Sequence, residues 1–224
     1  MPSLTEGFVK EIQRRILTGE WQIGRKIPPL RSLAEEFHVS RSVINAGIVE
    51  LSNNGYLTTV PRQYICVSDW KKKGTFALLN GLMANGLYDE TFSDDLLEGR
   101  MTIEKAIAKK AAVARTEEDL ALLAAIVRRE KEPLTPAERA QADGDFHHGL
   151  AVASHNFIYT VILNSFDSVA SHLVRAFYEK GVDGTFVVDM HESLVRAIED
   201  RDVVEAEKRI ELLLAHGEKE LKRK

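Results

Sequence analysis

Asp143 and His147 stand four residues apart, which on a helix puts both side chains on one face, one turn from each other. A carboxylate and a neutral imidazole are ordinary ligands for zinc or a similar divalent ion. His191 opens a later helical turn and His216 lies near the last one, so each is a candidate for a further nitrogen. Spacing alone leaves two readings open. The chain has 7 histidines among 34 Asp and Glu residues, and such a composition produces D-x-x-x-H by chance, as a solvated pair on a helix face. An enzyme built on such a centre, for instance a metal-dependent hydrolase with an accessory domain, would need a base or nucleophile beside the metal, such as the Glu of H-E-x-x-H. Only Asp145 and Glu192 lie near the candidate ligands in sequence.

A second group of polar side chains belongs to different chemistry. Arg41, Ser42, Val43 and Asn45 open a stretch in which Ile44, Ile48 and Leu51 recur at helical spacing. The three apolar residues mark an inward face, and the four others lie on or near the outward one. Arg suits guanine edges or phosphate, Ser suits phosphate, Asn suits adenine, and Val suits a thymine methyl. Charge points the same way. Residues 1–73 hold 11 Lys/Arg against 7 Asp/Glu, and residues 74–224 hold 19 against 27. A basic end joined to an acidic remainder suggests that the first part meets a polyanion. Two readings compete with DNA: a plain three-helix subdomain with solvated faces, and a protein-interaction module, which needs no excess of positive charge.

The elements that must position these groups divide into two sets. Ser3 and Glu6 form a capping box ahead of Phe8, Ile12 and Ile16, predicting a first helix from about Leu4 to Thr18. A short helix carrying Leu30, Leu33, Ala34 and Phe37 follows Pro28 and Pro29. Ser40 then caps a third helix from Arg41 to about Asn53, which Gly55 ends. YLTTV and QYICV, around Pro61 and Arg62, read as a small β-hairpin. Three short helices and a hairpin are the layout of a winged helix-turn-helix. Polar SDWKKKG places a linker at about 68–74. Beyond it the sequence predicts an all-α bundle of six or seven helices, at roughly 75–87, 93–114, 117–130, 136–154, 157–180, 185–200 and 202–222. The expected fold is mostly α, with residues 1–67 as a winged helix-turn-helix domain and 75–224 as an all-α bundle.

Composition bounds the rest. With 224 residues, 44% of them hydrophobic, the chain can bury a core, so disorder throughout is excluded. There is no run of about 18 apolar residues and no basic-then-apolar start, which leads to the expectation of a cytoplasmic protein with no membrane partner. Cys66 is the only cysteine, so neither an internal disulfide nor a cysteine zinc cluster can form. Trp21, Phe166 and Phe177 are expected in the core. His148 and His172 are expected to be exposed or locally bonded, and His155 to belong to a helix junction.

The stretch GRKIPPLRSLAEEFHVSRSVINAGIVELSNNGYL resembles the amino-terminal domain of the GntR family of bacterial transcription regulators. Matching positions are Gly24, Pro28, Arg31, Leu33, Ala34, Val39, Ser40, Arg41, Val43, Leu51 and Gly55. The resemblance implies that Arg31, Arg41, the start of the recognition helix and a wing tipped by Arg62 contact an operator in double-stranded DNA. Leu30, Asn45 and Arg62 depart from the common pattern and bear on sequence preference. DGDFHHGLAVASHNFIY and MHESLVRAIEDRD resemble the ligand-binding domain of the FadR subgroup, with Arg100 and Glu104 matching its R-x-x-x-E helix and therefore expected to contact effector. In that subgroup an aspartate and three histidines commonly hold a metal that an effector carboxylate approaches. Asp143, His147 and His191 fall on three of those positions. Leu213 stands at the fourth, with His216 one turn further on. Three readings stay open: His216 substitutes, the site has three protein ligands, or it holds no metal. AVASHNFIYTVILN also resembles members that bind long-chain acyl-CoA without those histidines. Arg100 is then either a carboxylate-recognising group or half of an Arg100–Glu104 pair on a solvated face. The resemblance implies a homodimeric, ligand-responsive regulator, expected to repress.

Overall fold

The structure, a computed structural model, describes residues 3–88, 90–182 and 184–223, without the side chains of Ala84, Asp167, Ser168, Ala170 and His172. The chain forms two units, Met1–Asp89 and Glu90–Lys224.

In the first unit, α1 (Leu4–Leu17) begins at a reciprocal capping box between Ser3 and Glu6 and buries Phe8, Val9, Ile12 and Ile16. Helices α2 (Leu30–Glu36) and α3 (Arg41–Asn53) meet at a turn in which His38 takes a φ of 53°. Ser40 caps α3 by accepting the Val43 N–H, and Ile44, Ile48 and Leu51 enter the core. Strands β1 (Leu57–Val60) and β2 (Tyr64–Val67) pair antiparallel, with Leu57 opposite Val67 and Val60 opposite Tyr64. Residues 24–27 flank β2 as a third extended segment, through Gly24 N–H to Val67 O at 2.9 Å and Ile27 N–H to Ile65 O at 3.0 Å. This is the expected winged helix-turn-helix.

One boundary differs from the sequence reading. The region expected to be a linker forms a single turn, α4 (Trp70–Lys73), and the helix expected at 75–87 in the bundle forms as α5 (Phe76–Ala84) but belongs to the first unit. The reason is apolar. Leu78 is buried in the same core as Phe8, Ile12 and Tyr56, and the Tyr56 hydroxyl donates to the Leu78 carbonyl at 3.1 Å.

The second unit contains six helices among the described residues: α6 (Glu90–Ala114), α7 (Glu117–Glu130), α8 (Pro136–Ala153), α9 (Phe157–Glu179), α10 (Thr185–Glu199) and α11 (Val203–Lys222). Thr116 with Asp119 and Thr135 with Glu138 close capping boxes at α7 and α8, each worth about 1 kcal/mol. The six helices enclose a core that includes Ile107, Leu123, Phe146, Leu150, Leu194 and Ile210. Trp21, Phe166 and Phe177 are buried as expected. No helix among the described residues is long and apolar enough to cross a membrane.

Candidate DNA-binding surface and candidate metal centre

On α3, burial of Ile44, Gly47, Ile48 and Leu51 turns the opposite face outward. Arg41, Ser42 and Asn45 are exposed and Val43 is half-buried. The Ser40 and Ser42 hydroxyls bond each other at 2.7 Å beside the helix start. Arg31 projects from α2 with its side chain 75% exposed and paired with Glu35 at 2.9 Å. At the hairpin tip, Gln63 N–H bonds Val60 O at 3.1 Å, and Arg62 sits at a φ of 61°, a left-handed conformation that glycine adopts more readily. Arg31, Arg41 and Arg62 thus stand on exposed backbone of one basic unit, where long cations can reach phosphates.

In the second unit, Asp143 and His147 lie on α8 and His191 lies on α10, and one ligand atom of each is within 4.8 Å of the others. The His147 Nε2 is 3.9 Å from Asp143 Oδ2, and the His191 Nε2 is 4.0 Å from Asp143 Oδ1. Each ring is turned by its other nitrogen. His147 Nδ1 bonds Glu104 Oε2 from α6, and His191 Nδ1 meets both carboxylate oxygens of Glu130, the last residue of α7, at 2.9 and 3.0 Å. Phe146 stacks on His191 at 3.7 Å between centroids. All five polar residues are buried. A buried carboxylate behind each imidazole is how metal-binding histidines are oriented, and it leaves both Nε2 atoms facing the same carboxylate. Among the described residues the His191 Nε2 has no hydrogen-bond partner although it is buried. A buried polar atom without a partner is costly, and a cation between these groups would satisfy it. The donor set, one carboxylate and two imidazoles, fits a divalent ion such as zinc.

The electrostatics of the shell are coupled. Burial opposes charge on Glu104, but the Arg100 guanidinium and the His147 ring outweigh it and hold its carboxyl at about 2. Burial also opposes charge on His147, and Glu104 overcomes that to raise its pKa. Burial, and then the charges of Asp143 and Glu130, push the Tyr178 phenol upward, so it stays a neutral donor to Asp143 Oδ1 at 3.3 Å.

Arg100 and Glu104 do not form a solvated pair. Their side chains are 15% and 1% exposed, and the Arg100 Nε meets Glu104 Oε1 at 2.5 Å. Glu104, expected to contact effector, is turned toward His147, while Arg100 lines the cavity that reaches Asp143 and His147. His216 does not join the three ligands. Its ring lies 4.2 Å from that of Phe186, and it borders a different cavity with Lys180 and Arg223. Leu213 and Gly217, four apart and so on one face of α11, line the Asp143 cavity, and His216 is turned away from that face. The expectation that His216 supplies a nitrogen is therefore corrected. His148 is exposed and bonds Asn164 at 2.9 Å. His155, at a φ of 48°, closes the α8–α9 junction and bonds Asp119 at 2.8 Å. The His172 side chain lies outside the described residues. Asp145 is engaged by Gln141 and Arg129, and Glu192 by Lys131 and Arg196, so neither faces the centre as a base. Sequence reasoning missed Glu130 and Tyr178, because a helix-terminal glutamate and a lone tyrosine carry no spacing signal toward His191 or Asp143.

Residues 4–67 match the family model described as bacterial regulatory proteins, gntR family, and residues 95–216 match that of the FCD domain. The chain belongs to the GntR family of regulators with an FCD domain. The Uxu operon regulator of Haemophilus influenzae is 26% identical over 215 residues, covering 88% of this chain and 74% of that protein. The Exu regulon transcriptional regulator of Escherichia coli is 27% identical over 207 residues, covering 89% and 77%. The solved structure of Lar, which controls the expression of the Listeria monocytogenes agr system, shares the fold, with a TM-score of 0.68 at 17% identity over 99% of this chain and 97% of that one. The GntR regulator is thus a DNA-binding transcription regulator of the ligand-responsive kind, and the hydrolase alternative is not favoured.

Proposed function

We propose that this regulator binds its operator as a homodimer in the cytoplasm and represses, and that a small carboxylate effector bound beside a divalent ion held by Asp143, His147 and His191 changes operator affinity. The observation that carries the reading is the convergence of two glutamate-backed imidazoles on one buried carboxylate, with the His191 Nε2 left without a partner.

In this reading Asp143, His147 and His191 bind the ion, and Glu104 and Glu130 hold the two rings at their Nδ1 atoms. Tyr178 keeps the Asp143 carboxylate in place with a hydrogen bond. The ion, when bound, supplies open positions and positive charge for a carboxylate. Arg100 offers that carboxylate a guanidinium at the same cavity. Leu97, Phe177 and Leu213 exclude water from it. The cavity is walled by α6, α9, α10 and α11 as well as α8, so an effector in it touches helices far apart in sequence and draws them together.

The test is a zinc titration of the purified chain read by thermal melting and native mass spectrometry. A ligand that prefers the folded state stabilises it by mass action, about 2.7 kcal/mol at a hundredfold excess over Kd. Wild type and the His216→Ala variant should gain equally, His147→Ala should lose most of the gain, and the mass should report two subunits. No bound metal, or equal loss in the His216→Ala variant, overturns the centre as drawn.

A further inference from the structure

We propose that the effector is a small monocarboxylic acid with an unsubstituted alkyl or aryl tail, and that Leu213 and Gly217 on α11 select that tail. The proposal rests on the reading of the Asp143–His147–His191 centre as the effector site and adds the chemistry of the molecule that enters it. Arg100, Asp143, His147 and Tyr178 provide the polar groups of the cavity, and hydrogen bonds or ion pairs tie all four into the centre. The rest of the lining is largely carbon, including Leu97, Val174, Phe177, Val187, Leu213 and Leu221. Glu218 also borders it, but its carboxylate is paired with Lys222 at 2.7 Å.

Leu213, Gly217 and Leu221 are four apart on α11, so they line the cavity along one helix face for roughly 12 Å. A Cβ added at Gly217 would meet no atom within 4 Å, so the face is open where a side chain would otherwise stand. A fourth ligand at position 213 would have faced the ion with a polar ring, and Leu213 instead continues the apolar wall up to the centre. A hydroxylated tail in such a space gives up water and finds no donor or acceptor on the carbon walls. Each unpaired buried hydroxyl weakens binding by roughly tenfold or more. In this cavity volume limits the tail to a few carbons, since about 60 Å³ holds on the order of four water-sized spheres. A hydroxylated tail would need the separate polar cavity of about 530 Å³ that also borders Arg100, Asp143 and His147, with Gln141, Ser171 and Arg175.

Two acids of equal carbon count, 4-methylpentanoate and gluconate, separate the classes. Calorimetric titration of the full chain, zinc-loaded and metal-free, should find 4-methylpentanoate bound at least tenfold more tightly than gluconate. Gly217→Leu, which fills the open face, should weaken 4-methylpentanoate at least tenfold while zinc stoichiometry stays at the wild-type value. Leu213→His should weaken that acid and tighten zinc, with a thermal melt reporting whether each variant folds. Equal or tighter binding of gluconate, no binding of either acid, or an unchanged affinity in a folded Gly217→Leu protein overturns the tail selection. Absence of zinc binding overturns the metal reading alone, because the preference between the two acids is read in both metal states.

Discussion

A buried histidine presents two nitrogens with different duties, and in this molecule the division is visible at His191. Its Nδ1 rests against both oxygens of Glu130, and its Nε2 meets no partner among the described residues. Glu130→Ala would free the ring to turn and leave the Nδ1 proton unpaired. Zinc affinity should fall by roughly 10–100-fold, as it does when an outer partner of a metal-binding histidine is lost, with operator affinity unchanged in the absence of effector. Zinc titration beside a gel-shift series checks both halves, and wild-type zinc affinity in the variant would remove Glu130 from the centre. At the wing tip, Arg62 shows a residue kept against its own backbone preference. Its left-handed φ of 61° costs roughly 1–2 kcal/mol for a residue with a Cβ. Arg62→Gly should therefore melt no lower than wild type while binding the operator less tightly, with a salt slope smaller by about one unit if the lost contact is a phosphate. A variant that is both less stable and equally tight in binding would contradict this assignment.

At the scale of elements, the sequence was most legible where one helix reports on itself. The recurrence of Ile44, Ile48 and Leu51 marked the buried face of α3, and the Asp143–His147 spacing put two ligands on one face of α8, both without reference to any other segment. Contacts between segments were not legible in that way. Glu104 and His147 are 43 residues apart, and Glu130 and His191 are 61 apart, so only the packing of α6 on α8 and of α7 on α10 brings them together. Gly47 makes the same point in the first unit. In sequence it reads as a weak position inside α3, where glycine costs about 1 kcal/mol relative to alanine. In the fold an added Cβ would overlap the Phe8 ring of α1, so the glycine sets how closely the recognition helix lies on the first helix. Gly47→Ala should consequently destabilise by about 1–3 kcal/mol despite its better helix propensity. Chemical denaturation measures this directly, and a more stable variant would mean that α1 yields without cost.

For the whole molecule, the position of the division between units has consequences that neither charge nor composition revealed. SDWKKKG is polar and ends in glycine, features that usually mark a linker, yet the core of the first unit continues through it to α5. Leu78 belongs to the short apolar run FALLNGLM, and such a run alone cannot say which core will receive it. Leu78 is buried against the first unit, and the buried Tyr56 hydroxyl donates to its carbonyl. Burying a leucine is worth roughly 1.5–3 kcal/mol, and losing the acceptor of a buried hydroxyl costs about 1–3 kcal/mol more. A fragment of residues 1–74 should therefore be less stable than one of residues 1–89 by several kcal/mol. For a domain of this size each kcal/mol moves Tm by about 4–8 °C, so the shorter fragment should melt at least about 10 °C lower. Its operator affinity at low temperature should match that of the longer fragment, because Arg31, Arg41 and Arg62 are present in both. Equal melting temperatures would mean that α5 rests on the first unit without supporting it, and would return the end of the folded module to the neighbourhood of Val67.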